Sequence, residues 1–234
     1  MKKIVVGALV FWGLTASSAH AALIDRGGGM IYDDVLNITW LQDANYAFTS
    51  GYHNDGGMTW GEAMEWAENL VYGGFDDWRL PTVRPVGEDF DYDFSNNGTT
   101  DLGYGNKSPN SELAYMYYVN LGNLGSCTPN DAAPRTCVTQ SGWGLRNRGP
   151  FENLGNPIGR VYWSGTEQTP TVFAWFFAYF DGIQFVGYNL NEGYAWAVRP
   201  GDVTSSVPAP EPGTFALLGL GLAGLGLSRR RLAA

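Results

Sequence analysis

Four aspartates crowd one short stretch of this chain, EDFDYDFSNNGTTD, residues 88–101. Asp89, Asp91, Asp93 and Asp101, with Asn97 among them, are hard oxygen donors of the kind that coordinate Ca²⁺. Their spacing departs from the EF-hand loop, which needs glycine at its sixth position, so the run also reads as a solvated acidic loop. Calcium is the one cofactor the sequence suggests. Histidine occurs only at His20 and His53. That excludes a histidine-rich metal site, and a Ser-His-Asp triad would rest on His53 with no G-x-S-x-G elbow to present the serine. Paired carboxylates could hydrolyse glycosides, but 23 acidic residues make chance neighbours inevitable and single out no pair. Cys127 and Cys137 bracket the turn-rich CTPNDAAPRTC. With neither C-x-x-C spacing nor a neighbouring histidine, they are expected to form a local disulfide in an oxidising compartment. Trp143, Trp163, Trp175 and Trp196 could offer sugar-stacking platforms, with most expected in the core; Trp143, set between Gly142 and Gly144, is the first choice for a platform, with core packing or loop anchoring as its other reading. Arg79 in WRLPT reads as a strand-end residue paired with a carboxylate, or else as a ligand clamp, and Arg199 in AVRP is read in the same way.

The elements that must position these residues are legible in part. MTWGEAMEWAENLVYGG predicts a helix opened by the capping box of Thr59 and Glu62, with Trp60, Ala63, Met64, Ala67, Leu70 and Val71 on its apolar face. SPNSELAYMYYVNLGN predicts a second, capped by Ser108 with Pro109 at its first position. Its buried face is expected to hold Leu113, Met116, Tyr117 and Leu121, and Gly122 is expected to end it. In the last third the period changes from helical to alternating. Strands are expected near 161–165, 172–180, 183–188 and 194–199 as an antiparallel meander, with Asp181-Gly182 as a hairpin turn. GMIYDDVLNITWLQD suggests another hairpin turning at Asp33-Asp34. Residues 84–107 and 123–158 read as long loops. Helices between sheet-forming ends give an α+β class.

Both ends carry address-like patterns. Residues 1–21 hold Lys2 and Lys3, the apolar run Ile4–Leu14 and Ala19-His20-Ala21, the layout of a signal peptide cleaved by signal peptidase before Ala22. A Ser/Pro linker, residues 203–212, leads to PAPEPGTFALLGLGLAGLGLSRRRLAA. Its apolar stretch, Phe215–Leu227, falls short of the ~20 residues of a spanning helix, and the arginines after it mark a cytoplasmic side. Pro210-Glu211-Pro212, the glycine-rich apolar run and Arg229, Arg230 and Arg231 resemble the PEP-CTERM sorting signal of Gram-negative bacteria, here spanning 208–232. The resemblance implies export through the inner membrane, transient retention there, exosortase processing, and residence at the cell surface or in a biofilm matrix. The formal charge of −9 becomes −14 without Lys2, Lys3 and Arg229–Arg231. Such a body repels nucleic acid, whose binding depends on neutralised phosphates.

Within residues 22–202, DDWRLPT (76–82), NSELAYMYY (110–118), YWSGT (162–166) and YAWAVRP (194–200) occur in that order. They resemble the DUF1566 family, or Lcl C-terminal domain. The resemblance implies one C-type-lectin-like domain, two helices and an antiparallel sheet with long loops, related to the formylglycine-generating-enzyme type. The cysteines of those enzymes have no counterpart motif here, so their activity is not expected. The acidic loop is an insertion between RLPT and the second helix. Address, aromatics and implied fold together suggest a non-enzymatic surface or matrix protein binding extracellular polysaccharide or another matrix partner. A purely structural matrix component and an extracellular hydrolase are the alternatives.

Overall fold

The computed structural model describes residues 22–129, 136–155, 159, 161–168 and 172–203. These residues form two sheets with short helices, an α+β arrangement that is mainly β. The first sheet joins β1 (Leu23–Asp25), β2 (Met30–Asp33), β3 (Ile38–Leu41) and the last strand, β9 (Val198–Pro200), in that order, all antiparallel. The second contains β4 (Phe94–Ser95), β5 (Leu102–Gly103), β6 (Tyr162–Gln168), β7 (Phe173–Ala178) and β8 (Ile183–Tyr188), in the order β4-β5-β8-β7-β6. Only β4 and β5 pair in parallel. Three helices, α1 (Tyr46–Thr49), α2 (Trp60–Glu68) and α3 (Glu112–Tyr115), lie between the strands, and α3 runs on into a π-helical turn, Met116–Asn120.

Helix α2 begins as its sequence predicts: the Thr59 hydroxyl accepts from the Glu62 N–H while Glu62 reaches back to the Thr59 N–H. It ends at Glu68, earlier than the apolar spacing suggested. Val71 therefore falls beyond the last turn, 72% exposed, and Trp66 fills the buried face beside Ala63 and Ala67. The second helix corrects its predicted start. Ser108 and Pro109 belong to a preceding turn, in which the Ser108 carbonyl accepts from the Ser111 N–H. Ser111 is the cap, its hydroxyl accepting from the Ala114 N–H. Leu113, Met116, Tyr117 and Leu121 are buried as expected, and Gly122 follows with φ 64°.

The meander is real over β6–β8, but its fourth member is not. Of residues 194–199 only the end becomes strand, and β9 leaves the meander to pair with β3. The reason lies in β3, whose four residues Ile38–Leu41 are all buried and need a hydrogen-bonded neighbour on each side. The first hairpin also turns later than expected. Asp33 stays in β2 opposite Ile38, and its carboxylate accepts the Val35 and Leu36 N–H groups to close the turn. The region 84–107 is no plain loop, since it supplies β4 and β5.

The core between the sheets is aromatic. Trp40 and Trp196 have ring centroids 4.4 Å apart, and Phe151 meets Trp196 edge-on at 4.7 Å. Backbone satisfies several of the buried polar edges: Trp196 Nε1 donates to the Leu41 carbonyl, Trp163 Nε1 to Met58 and the Tyr179 hydroxyl to Leu113, whereas Trp40 Nε1 and Trp175 Nε1 are buried without a partner among the described residues. Each fully buried ring contributes on the order of 2–3 kcal/mol from removed apolar surface.

Candidate functional site

The four sequence motifs meet in space, and they meet as scaffold. Arg79 donates through both terminal nitrogens to the two Glu112 oxygens, each at 2.8 Å, and Glu112 also accepts the Thr82 N–H at 2.7 Å. This ties WRLPT to the first residue of α3. Arg199 forks onto Asp77 at 2.7 and 2.9 Å and lies 3.9 Å over the Phe75 ring. The hydrogen bond from Arg199, against a smaller cost of burial, holds the Asp77 carboxyl below its ordinary value. The register of β6 on β7 shifts between Trp163 and Glu167, and the freed Gly165 N–H reaches the Pro81 carbonyl at 2.7 Å. Trp78 and Leu80 point inward and are buried, as their alternation predicts.

This frame presents a hollow surface around the disulfide. Cys127 and Cys137 are bonded, with Cα atoms 4.9 Å apart, and the segment is laddered further by Cys127 opposite Thr139 and Leu124 opposite Gly144. The disulfide forms one wall of a groove of about 610 Å³ whose other lining residues are Tyr92, Phe94, Leu102, Tyr104 and Phe185. Beside it lies a cleft of about 320 Å³, where the amide side chains Asn96, Asn97, Asn123 and Gln140 and the cation Lys107 share the lining with Tyr118, Leu124 and Pro129. Cys127 lines both. An aromatic wall next to an amide-rich floor suits a ligand with apolar faces and hydroxyl edges. Among the described residues neither lining contains Asp, Glu or His.

Each groove residue is held by something identifiable. Phe185 points out because its neighbour Gln184 points in: the Gln184 side chain accepts from the Ser111 hydroxyl and donates to the Asp101 carbonyl. Tyr92 rides over Trp175, ring centroids 5.9 Å apart, with Phe90 stacked on the same indole at 5.0 Å. The Tyr104 hydroxyl donates to Asp181 at 3.2 Å, and burial is the main cause that raises its ionisation above the ordinary tyrosine range. Gly103, at φ 114°, lets β5 press against β4, where a Cβ would lie 2.0 Å from the Ser95 carbonyl oxygen.

The residues singled out from sequence fall in different places. Asp89, Asp91 and Asp93 are exposed on the acidic loop. Asp101 is fully buried, and its carboxylate accepts the Val86 and Asp91 N–H groups, both at 2.8 Å, so it organises the loop from inside. Asn97 accepts from Thr99. Among the described residues no group of three or more His, Cys, Asp or Glu side chains gathers in a way that could hold a metal ion. Trp143 is 39% exposed between Gly142 and Gly144, both at positive φ, and is not among the residues lining the groove or the cleft. Trp163, Trp175 and Trp196 are buried as expected. Pro210, Glu211, Pro212, Arg229, Arg230 and Arg231 lie outside the described residues, as do residues 1–21.

The described residues make a mainly antiparallel body in which Arg79, Glu112, Gly165 and Arg199 lock four sequence segments together, with a disulfide-walled groove at its surface. The chain belongs to the Lcl C-terminal domain family (DUF1566), which it matches over residues 29–199. Residues 208–231 match the PEP-CTERM protein-sorting motif, which implies an exported, surface-attached protein processed by an exosortase. No curated protein and no solved structure matches the chain. Neither matching family is enzymatic. Among the described residues no helix is long and apolar enough to cross a membrane.

Proposed function

We propose that this is a non-catalytic binding module of the bacterial surface or extracellular matrix, with a C-type-lectin-like domain that holds polysaccharide in the groove beside Cys127–Cys137. The observation that carries this reading is the convergence of Tyr92, Phe94, Tyr104 and Phe185 on one concavity in a protein carrying an export signal. Exposed aromatic faces are costly to leave in water and stack on the C–H faces of sugar rings. The amide-rich cleft next to it supplies partners for hydroxyl groups.

Signal peptidase and an exosortase act as processing enzymes. Cleavage before Ala22 suits the fold, because the Ala22 nitrogen already donates to Asp34 at 2.8 Å and β1 begins at the next residue. The test is a glycan array probed with the parent chain and with Tyr92→Ala. Binding to a polysaccharide class that the variant loses supports the reading. An array with no signal, or one unchanged by Tyr92→Ala, overturns it.

A further inference from the structure

The groove is aromatic, and the loop that gives it Tyr92 is acidic. Tyr92, on its wall, is flanked in sequence by Asp91 and Asp93, with Glu88 and Asp89 just before them, and all four carboxylates are exposed. The formal charge of the whole chain, −9 over 234 residues, has the same sign. An acidic polysaccharide brought to this rim would meet like charge, and a neutral one would gain nothing from it.

The adjoining cleft adds an independent observation. Asn96 is 3% exposed, lines the cleft, and donates through Nδ2 to the Thr136 carbonyl. Its Oδ1 has no hydrogen-bond partner among the described residues. A buried acceptor left unpaired is costly, so its position favours an occupant that brings a donor. Among the described residues the one cation on these walls, Lys107, lines the cleft and is absent from the lining of the aromatic groove.

We infer that the groove selects an amine-bearing glycan, a polymer of amino sugars with free ammonium groups, over neutral or uronic-acid polymers. This rests on the glycan-binding reading above and adds the charge class of the ligand. The sugar faces stack on Tyr92, Phe94 and Phe185, the ammonium groups sit in the field of Asp91 and Asp93, and Asn96 Oδ1 accepts a ligand hydroxyl or N–H.

The experiment measures binding of the full chain to three oligosaccharides of one length: a glucosamine oligomer, its fully N-acetylated counterpart and a galacturonate oligomer. The glucosamine oligomer is expected to bind at least about tenfold more tightly than either, with the advantage shrinking as salt rises. Asp91→Asn with Asp93→Asn is expected to weaken that binding about fivefold and to leave the N-acetylated oligomer unchanged. Asn keeps the oxygen with which Asp91 accepts the Asp93 N–H. Equal or tighter binding of the N-acetylated or galacturonate oligomer, or a preference that the double substitution leaves undiminished, overturns the inference and leaves glycan binding standing. If none of the three binds, the glycan reading falls together with it.

Discussion

Replacing Glu112 with Gln removes one charge from the junction where two family motifs meet. Glu112 is buried at 7% exposure and accepts three hydrogen bonds, two from Arg79 and one from the Thr82 N–H. Removing one partner of a buried ion pair costs about 3–5 kcal/mol. Arg79 keeps a third of its side chain in water, 34% exposed, so solvent recovers part of that loss and leaves about 2–3 kcal/mol. For a domain of this size that is a fall in Tm of about 4–12 °C. Calorimetry on Glu112→Gln, Arg79→Met and the double variant measures it. The double variant is expected to be less destabilised than the sum of the singles by about 1–2 kcal/mol, because the second substitution removes a charge already left unpaired. A Tm for Glu112→Gln within about 1 °C of the parent would refute the scaffold role. So would an Arg79→Met variant of parental stability that has lost glycan binding, which would make Arg79 a ligand clamp instead.

Three further outcomes are expected. Replacing both cysteines with serine opens a loop of sequence separation 10, which costs about 2.5–3 kcal/mol and lowers Tm by about 5–12 °C; glycan affinity falls with it, since the disulfide is a wall of the groove, and thermal scans with and without glycan check both. Burial raises the Asp181 carboxyl above its ordinary value of 3.8, so the stability linked to that group is fully present below the unfolded value and is lost as pH rises through the folded one. Asp181→Asn, which cannot ionise, is therefore expected to be more stable than the parent at neutral pH, with the gap closing as pH falls toward 3.8; urea titrations across that range check it, and a pH-independent gap contradicts it. Intact-mass analysis of exported protein is expected to give an N-terminus at Ala22, the residue hydrogen-bonded to Asp34.

The residues that revealed themselves in sequence are those whose reasons are local. Thr59 and Glu62 cap α2 through contacts three residues apart, and Asp181-Gly182 closes the turn from β7 into β8, although β7 ends at Ala178 and the turn takes four residues, 179–182, instead of two. Gly182 is fixed there by crowding as well as by its φ of 87°, since a Cβ would lie 2.7 Å from the Tyr118 hydroxyl. The cysteine pairing likewise needed only ten residues of chain. What escaped was set by distant partners. Strand β9 pairs with β3 across more than 150 residues, and Ser111 displaces Ser108 as the cap because Glu112 is drawn to Arg79 and Thr82. The groove was hidden for the same reason. Trp143 drew notice for its flanking glycines, while Phe185 was not singled out within the expected strand 183–188. The lone Gln184 in that strand was the available clue: a polar residue engaged inside turns its apolar neighbour outward.

Strand β9 is stitched on both sides, to β3 by its ladder and to Arg79 by a reciprocal pair of backbone bonds at Val198. Just past it, Asp202 takes a fork from Arg26, at 2.9 and 2.6 Å, beside the first strand. The polypeptide thus enters and departs the body at one neighbouring spot, like a balloon knotted at its string. Tension applied beyond Asp202 would therefore meet the Arg26 fork and the β3–β9 ladder before it reached any residue of the groove.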